Sequence, residues 1–183
     1  MKQQKRITSN GRLIEIYDDI FPTSLRQHHI DFVQQSTFKL GGASTRINWQ
    51  ANNTFFQSVY SEDDFNKFRL NSEFLASRLR NYNVDRCWVL SSSPLSTYYF
   101  HPDDITENEK TITLLYYVNT RWDRNWGGET LFSNDEGECE IAVEFKPGRV
   151  IIFDSHIEHK PSPIAMQADE FRFTFVVQFK NTI

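Results

Sequence analysis

The stretch Glu170–Phe179, EFRFTFVVQF, alternates at a period of two and so reads as a β-strand with two unlike faces. Phe171, Phe173, Phe175, Val177 and Phe179 share one face, which has to be buried under another layer. Arg172, Thr174, Val176 and Gln178 share the other. If the sheet closes on itself, that second face points inward and carries Arg172 with it. A guanidinium turned into an apolar interior costs free energy unless a carboxylate meets it with paired hydrogen bonds. From the residues alone, Arg172 is either one half of an internal ion pair with Asp or Glu, or an edge-strand side chain that reaches water.

Upstream, the segments RCWVLSSS (86–93), STYYFHPD (96–103), TITLLYYVN (111–119), GETLF (128–132), CEIAVEF (139–145) and RVIIFD (149–154) are short, β-branched and aromatic. Turn residues such as Asn134-Asp135-Glu136-Gly137 and Pro147-Gly148 separate them. Many short strands at this spacing predict a sandwich or barrel rather than a parallel α/β sheet. The first half mixes strands and helices. Asn10-Gly11 predicts a hairpin before Leu13, Ile14 and Ile16. Leu25, His29, Phe32 and Val33 fall on one face of a helix that begins after Pro22, where His28 and His29 have structural or exposed roles. Ser61 and Asp64 have capping-box spacing, and Phe74, Leu75, Arg78, Leu79 and Tyr82 recur at helical intervals. The expected fold is mainly β with flanking α: a jelly-roll, cupin-like double-stranded β-helix with N-terminal helices packed on the outer face of one sheet. It forms a single domain over 1–183, with a helix-and-strand support region over 1–85 and the core over 86–183.

Sixteen Phe, seven Tyr and four Trp in 183 residues predict an aromatic, strand-rich core. The net charge of -4 argues against a general attraction to nucleic acid or to an anionic membrane. Cys87 and Cys139 make neither a disulfide framework nor a CxxC metal site. The polar start, MKQQKRITSN, leads into no apolar run, so no signal peptide is read, and no segment approaches the about 18 apolar residues of a spanning helix. The expected compartment is the cytoplasm; the oligomeric state is left open.

His101 and Asp103, in YYFHPDD, are one residue apart, so on a strand both leave the same face and could hold one ion; Tyr99 shares that face. Two His and one carboxylate on one side of an ion leave open positions opposite, the arrangement of non-haem Fe(II) oxygenases. The third ligand should come from FDSHIEH (153–159), where His156 and His159 both follow an apolar strand and spacing alone does not choose between them.

Taken together, HPD, LLYYVNTRWDRNWGGETLF, KPGRVIIFDSHIEH and RFT, in that order, resemble the Fe(II)/2-oxoglutarate-dependent dioxygenases, in particular the prolyl-4-hydroxylase-like branch. The resemblance implies that His101, Asp103 and His159 bind Fe(II), with Arg172 and Thr174 holding the distal carboxylate of 2-oxoglutarate. It implies Tyr117 and Tyr98 in the co-substrate pocket, although strand parity favours Tyr99 over Tyr98. It implies O2 as the second co-substrate, ascorbate as a possible reductant, and release of succinate and CO2. The substrate it implies is a prolyl residue of a peptide or protein. A free amino acid or other small molecule is the runner-up, and a non-catalytic jelly-roll binding module is the alternative of another class. His156 stands where similar sequences often carry Arg, and with Tyr99, Trp122 and Trp126 it is placed around the ligands or against substrate. The two tryptophans cap the core or line the substrate entrance, and the acidic run Asp103–Lys110 is a solvated loop or a substrate lid.

Overall fold

The Asn10-Gly11 hairpin forms as expected. Strands β1 (Lys2–Ile7) and β2 (Leu13–Asp18) pair antiparallel, and Gly11 supplies the positive φ that the turn needs. The structure, a computed structural model, describes residues 2–40, 55–68, 73–106 and 110–182. Glu107, Asn108 and Glu109 of the acidic run, and Asn71 and Ser72 ahead of the second amphipathic helix, lie outside the described residues.

After β2 come helix α1 (Thr23–Gln34), β3 (Lys39–Leu40), β4 (Phe56–Tyr60), α2 (Glu62–Phe68), α3 (Glu73–Arg78) and β5 (Tyr82–Ser92). Then follow β6 (Thr111–Tyr117), a 3₁₀ turn (Arg124–Trp126), β7 (Thr130–Ser133), β8 (Cys139–Val143), β9 (Val150–Asp154), β10 (His159–Pro161) and β11 (Arg172–Asn181). Among the described residues, eight strands form one sheet in the order β1-β2-β9-β6-β11-β5-β4-β3, and three form a second, β10-β7-β8. All the pairings are antiparallel. Strands from both halves of the chain therefore share the large sheet.

The alternation of β11 separates two cores. Phe175, Val177 and Phe179 face the helices and pack with Ile30, Val33, Phe68 and Leu75. Val176 faces the small sheet and joins Leu115, Tyr117, Phe132, Ile141 and Phe153. This is the expected jelly roll, with helices on the outer face of the large sheet. The capping box also forms: Ser61 N–H donates to Asp64 Oδ2, and Asp64 N–H donates back to Ser61 Oγ, both at 3.2 Å.

Three local expectations are corrected. Residues 96–103 form no strand; the chain turns at Ser93–Ser96, and only His101 bridges, to His159. Pro102 has no N–H with which to continue a ladder. Phe171 is half exposed rather than buried, because β11 begins one residue later. Finally, β11 lies between β5 and β6. Arg172 is therefore no edge residue, and at 1 % exposure it does not reach water.

Candidate active site

The bridge between His101 and His159 sets two imidazoles side by side at the edge of the small sheet, with ring centroids 4.9 Å apart. Each ring donates Nδ1–H to a carbonyl two residues before it, His101 to Tyr99 at 2.9 Å and His159 to Ile157 at 3.0 Å. That choice of tautomer leaves both Nε2 lone pairs free, and both point at Asp103, with distances of 3.9 and 3.6 Å to its two oxygens. The three donor groups fall within 4.8 Å of one another. Asp103 is held from beneath: Thr113 Oγ1 on β6 donates to Oδ2 at 2.6 Å, and the Asp103 N–H donates to the Ser155 carbonyl at 2.8 Å. Burial pushes the His159 imidazole below its ordinary pKa, which favours the neutral ring that a metal requires.

At the other end of the inward face of β11, Arg172 lies over the rings of Tyr117 and Phe145, at 5.2 and 5.0 Å. Its Nε donates to the Gly128 carbonyl at 2.9 Å, and its two terminal nitrogens to Thr174 Oγ1 at 2.6 Å and Thr130 Oγ1 at 3.4 Å. These partners are all neutral. No carboxylate of the described residues pairs with it, so the internal ion pair is absent and the buried charge calls for an anionic ligand. Gly128, at φ +80°, gives the close approach: a Cβ there would meet Arg172 Cδ and the Trp122 ring, each at 3.3 Å. The donor set and the unmatched guanidinium both suit Fe(II) with a dicarboxylate such as 2-oxoglutarate.

A cavity of about 280 Å³ joins the two ends and is lined by His101, Asp103, His159, Arg172, Thr174 and Tyr98, among others. Tyr98 bonds Ser92 and stacks on Phe55, while Tyr99 stands at the rim, 53 % exposed. Both tyrosines reach the cavity because the segment is not a strand, so parity does not apply. Tyr117 stands behind Arg172 with its hydroxyl on Thr130 Oγ1, and Trp122 and Trp126 pack edge to face in the loop behind Gly128; none of the three lines the cavity.

His156 is also away from the cavity. Its Nδ1 donates to Asp154 at 2.9 Å and its Nε2 to the Thr106 carbonyl at 3.0 Å. Burial alone would lower its pKa, but the Thr106 and Asp154 acceptors outweigh it and hold the pKa above the ordinary value. A ring with both nitrogens protonated has no lone pair for a metal.

One contributor has no separate signal in the sequence. Asn119, 3 % exposed, donates Nδ2–H to the Phe171 carbonyl at 2.7 Å and accepts the Phe173 N–H at 2.8 Å. Its amide thus clamps the backbone on either side of Arg172. The sequence shows it only as the last letter of YYVN.

Residues 87–179 match the model of the 2OG-Fe(II) oxygenase superfamily. No curated protein matches the chain by sequence. Similar solved structures include a Trichoplax adhaerens prolyl hydroxylase in complex with a hypoxia-inducible-factor peptide fragment, 18% identical with a TM-score of 0.66, covering 92% of this chain and 83% of that one. A Pseudomonas putida prolyl-4-hydroxylase is 16% identical, with a TM-score of 0.63 and 92% coverage of both chains. A Burkholderia pseudomallei 2OG-Fe(II) oxygenase family protein is 12% identical, with a TM-score of 0.70 over 94% of this chain and 86% of that one. At these identities the likeness is one of fold, while the family match spans half of the chain. The chain belongs to the 2OG-Fe(II) oxygenase superfamily.

Proposed function

We propose that this 2-oxoglutarate- and Fe(II)-dependent dioxygenase hydroxylates a prolyl residue of a peptide or protein and releases succinate and CO2. In this reading His101, Asp103 and His159 hold Fe(II), and Arg172 with Thr174 holds the distal carboxylate of 2-oxoglutarate. The observation that carries it is the pairing, in one cavity, of the convergent His-Asp-His donors with a buried guanidinium that has no carboxylate partner among the described residues. The prolyl substrate draws support from the solved relatives, several of which are prolyl hydroxylases, one bound to a peptide. When bound, Fe(II) with O2 and 2-oxoglutarate supplies the oxidant for an unactivated C–H bond.

The protein's own residues position and shield. The two Nδ1–H bonds fix both imidazoles, Thr113 fixes Asp103, and the Gly128 carbonyl and two threonines fix Arg172. Leu90, Leu115 and Val176 give the cavity an apolar wall that limits water. No residue is needed as a general base.

The test is anaerobic Fe(II) and 2-oxoglutarate titration, then succinate release on admitting O2, with added prolyl peptides searched for the mass of one oxygen atom. Asp103→Ala and His159→Ala are expected to abolish iron binding, and His156→Ala to retain it. Iron binding that survives in His159→Ala but fails in His156→Ala reverses the ligand assignment. Succinate release unchanged in Asp103→Ala overturns the enzymatic reading.

A further inference from the structure

A β-bulge stands beside the iron-ligand end of the cavity. Along β11 and β5 the register runs Thr174–Leu90, Val176–Trp88 and Gln178–Arg86, then skips to Phe179–Val84. Asp85 is the extra residue. In a regular strand Asp85 and Arg86 would leave opposite faces; here the Asp85 carboxylate lies 3.6 Å from Arg86 Nε and 3.6 Å from Lys180 Nζ, on the face that carries Gln178, and both residues line the cavity. Gln178, the partner of Arg86 across the strands, donates to the Asp103 carbonyl at 3.4 Å, and on its other side Thr113 holds the Asp103 carboxylate. Thr113, Gln178 and Arg86 therefore form one transverse row on the inward face, next to Asp103. Trp88 and Val59 lie one row nearer Arg172, about 7 Å along the strands.

Arg86 and Arg172 are the two cations lining this cavity among the described residues. They stand at opposite ends of it. Arg172 is six residues along β11 from Gln178, on the order of 20 Å, so one five-carbon diacid anchored at Arg172 does not also reach Arg86. Arg86 also differs in setting: its side chain is 57 % exposed, and its ion pair is loose, at 3.6 Å to Asp85, a carboxylate that it shares with Lys180 at 3.6 Å. Of the other acids at that end, Asp103 is the proposed iron ligand, held by Thr113, and Asp104 accepts two hydrogen bonds from Thr106 within its own loop.

We infer that Arg86 is the anion-recognising residue for the substrate: the molecule whose C–H bond is oxidised carries a carboxylate next to the apolar group that packs on Trp88 and Val59. This rests on the dioxygenase reading of the site and adds a charge to its substrate. For a peptide the carboxylate is that of an Asp or Glu flanking the reacting residue; for a free amino acid it is the α-carboxylate.

The experiment compares alanine-based peptides containing one proline flanked by Asp, Asn or Lys, and free L-proline, by kcat/KM for oxygen incorporation. The wild type is expected to prefer the Asp peptide to the Lys peptide by about tenfold or more, the scale of one close charge pair. Arg86→Glu is expected to invert that order. Arg86→Gln, which keeps the size and removes the charge, is expected to abolish it. If the carboxylate is that of a free amino acid, L-proline is the better probe, and Arg86→Glu raises its KM by a similar factor. Equal use of Asp and Lys peptides by the wild type, with no change in L-proline kinetics in Arg86→Glu, overturns the inference. Failure of the dioxygenase reading looks different, because the wild type then releases no succinate from 2-oxoglutarate at all.

Discussion

At the scale of single residues, hydrogen-bond bookkeeping decides which side chains do the chemistry. His156 and His159 are equivalent by spacing, yet one ring donates from both nitrogens and the other from Nδ1 alone. Only the second has a lone pair to give. Asn119 has the same kind of importance without touching any ligand: its two backbone bonds bracket Arg172. Asn119→Leu removes both bonds and is expected to raise the KM for 2-oxoglutarate about tenfold, the cost of one to two lost buried hydrogen bonds, while iron affinity stays the same. Asn119→Asp, which keeps the acceptor for the Phe173 N–H, should recover part of the loss. A variant in which iron affinity is lost along with the rise in KM would make Asn119 a general fold residue rather than one that positions Arg172.

At the scale of elements, strand ends are tied by ion pairs far apart in sequence. Asp18 closes β2 and accepts Arg149 Nε at 2.8 Å, with Arg149 Nη2 and Lys146 Nζ each at 3.1 Å, in the turn that leads into β9. Burial alone would raise the Asp18 pKa, but these bonds outweigh it and hold it below the ordinary carboxylate value. A depressed folded value contributes stability that is present above the unfolded pKa of about 3.9 and is lost as pH falls through the folded one. Urea midpoints should therefore be unaffected by this group between pH 5 and 7 and fall in acid. Asp18→Asn should lower the stability at neutral pH by roughly 3 kcal/mol, read as a lower urea midpoint, and flatten that acid slope. An unchanged neutral midpoint would mean that the turn is held by other contacts. Most elements were legible at this scale, because hairpin, capping box and alternation are local rules. The strands Lys39–Leu40 and Phe56–Tyr60 were not, and neither was the short strand His159–Pro161. Three residues ending in proline have no periodic signal, and only the partner strand Thr130–Phe132 makes them a strand.

At the scale of the whole molecule, β11 is the wall between two interiors. Its outer face stacks Phe175 on Phe68, with ring centroids 3.9 Å apart, both 0% exposed, and this joins the helix layer to the sheet. Phe175→Ala should cost about 3–5 kcal/mol, read as a lower denaturant midpoint at constant slope. A loss below about 1 kcal/mol would mean that the helices repack easily and are not anchored there. The alternation of EFRFTFVVQF already determined that one face of this strand is apolar and that Arg172 lies on the other, since side-chain period is a property of the chain itself. The ligand motif determined which donors were available. The partners of those donors were decided by tertiary structure alone. Which histidine keeps a lone pair, that Arg172 meets no carboxylate among the described residues, and that a bulge brings Asp85 and Arg86 to one cavity all depend on segments remote in sequence brought within bonding distance. Hydrogen-bond and electrostatic energies act through space, and separation along the chain does not encode them.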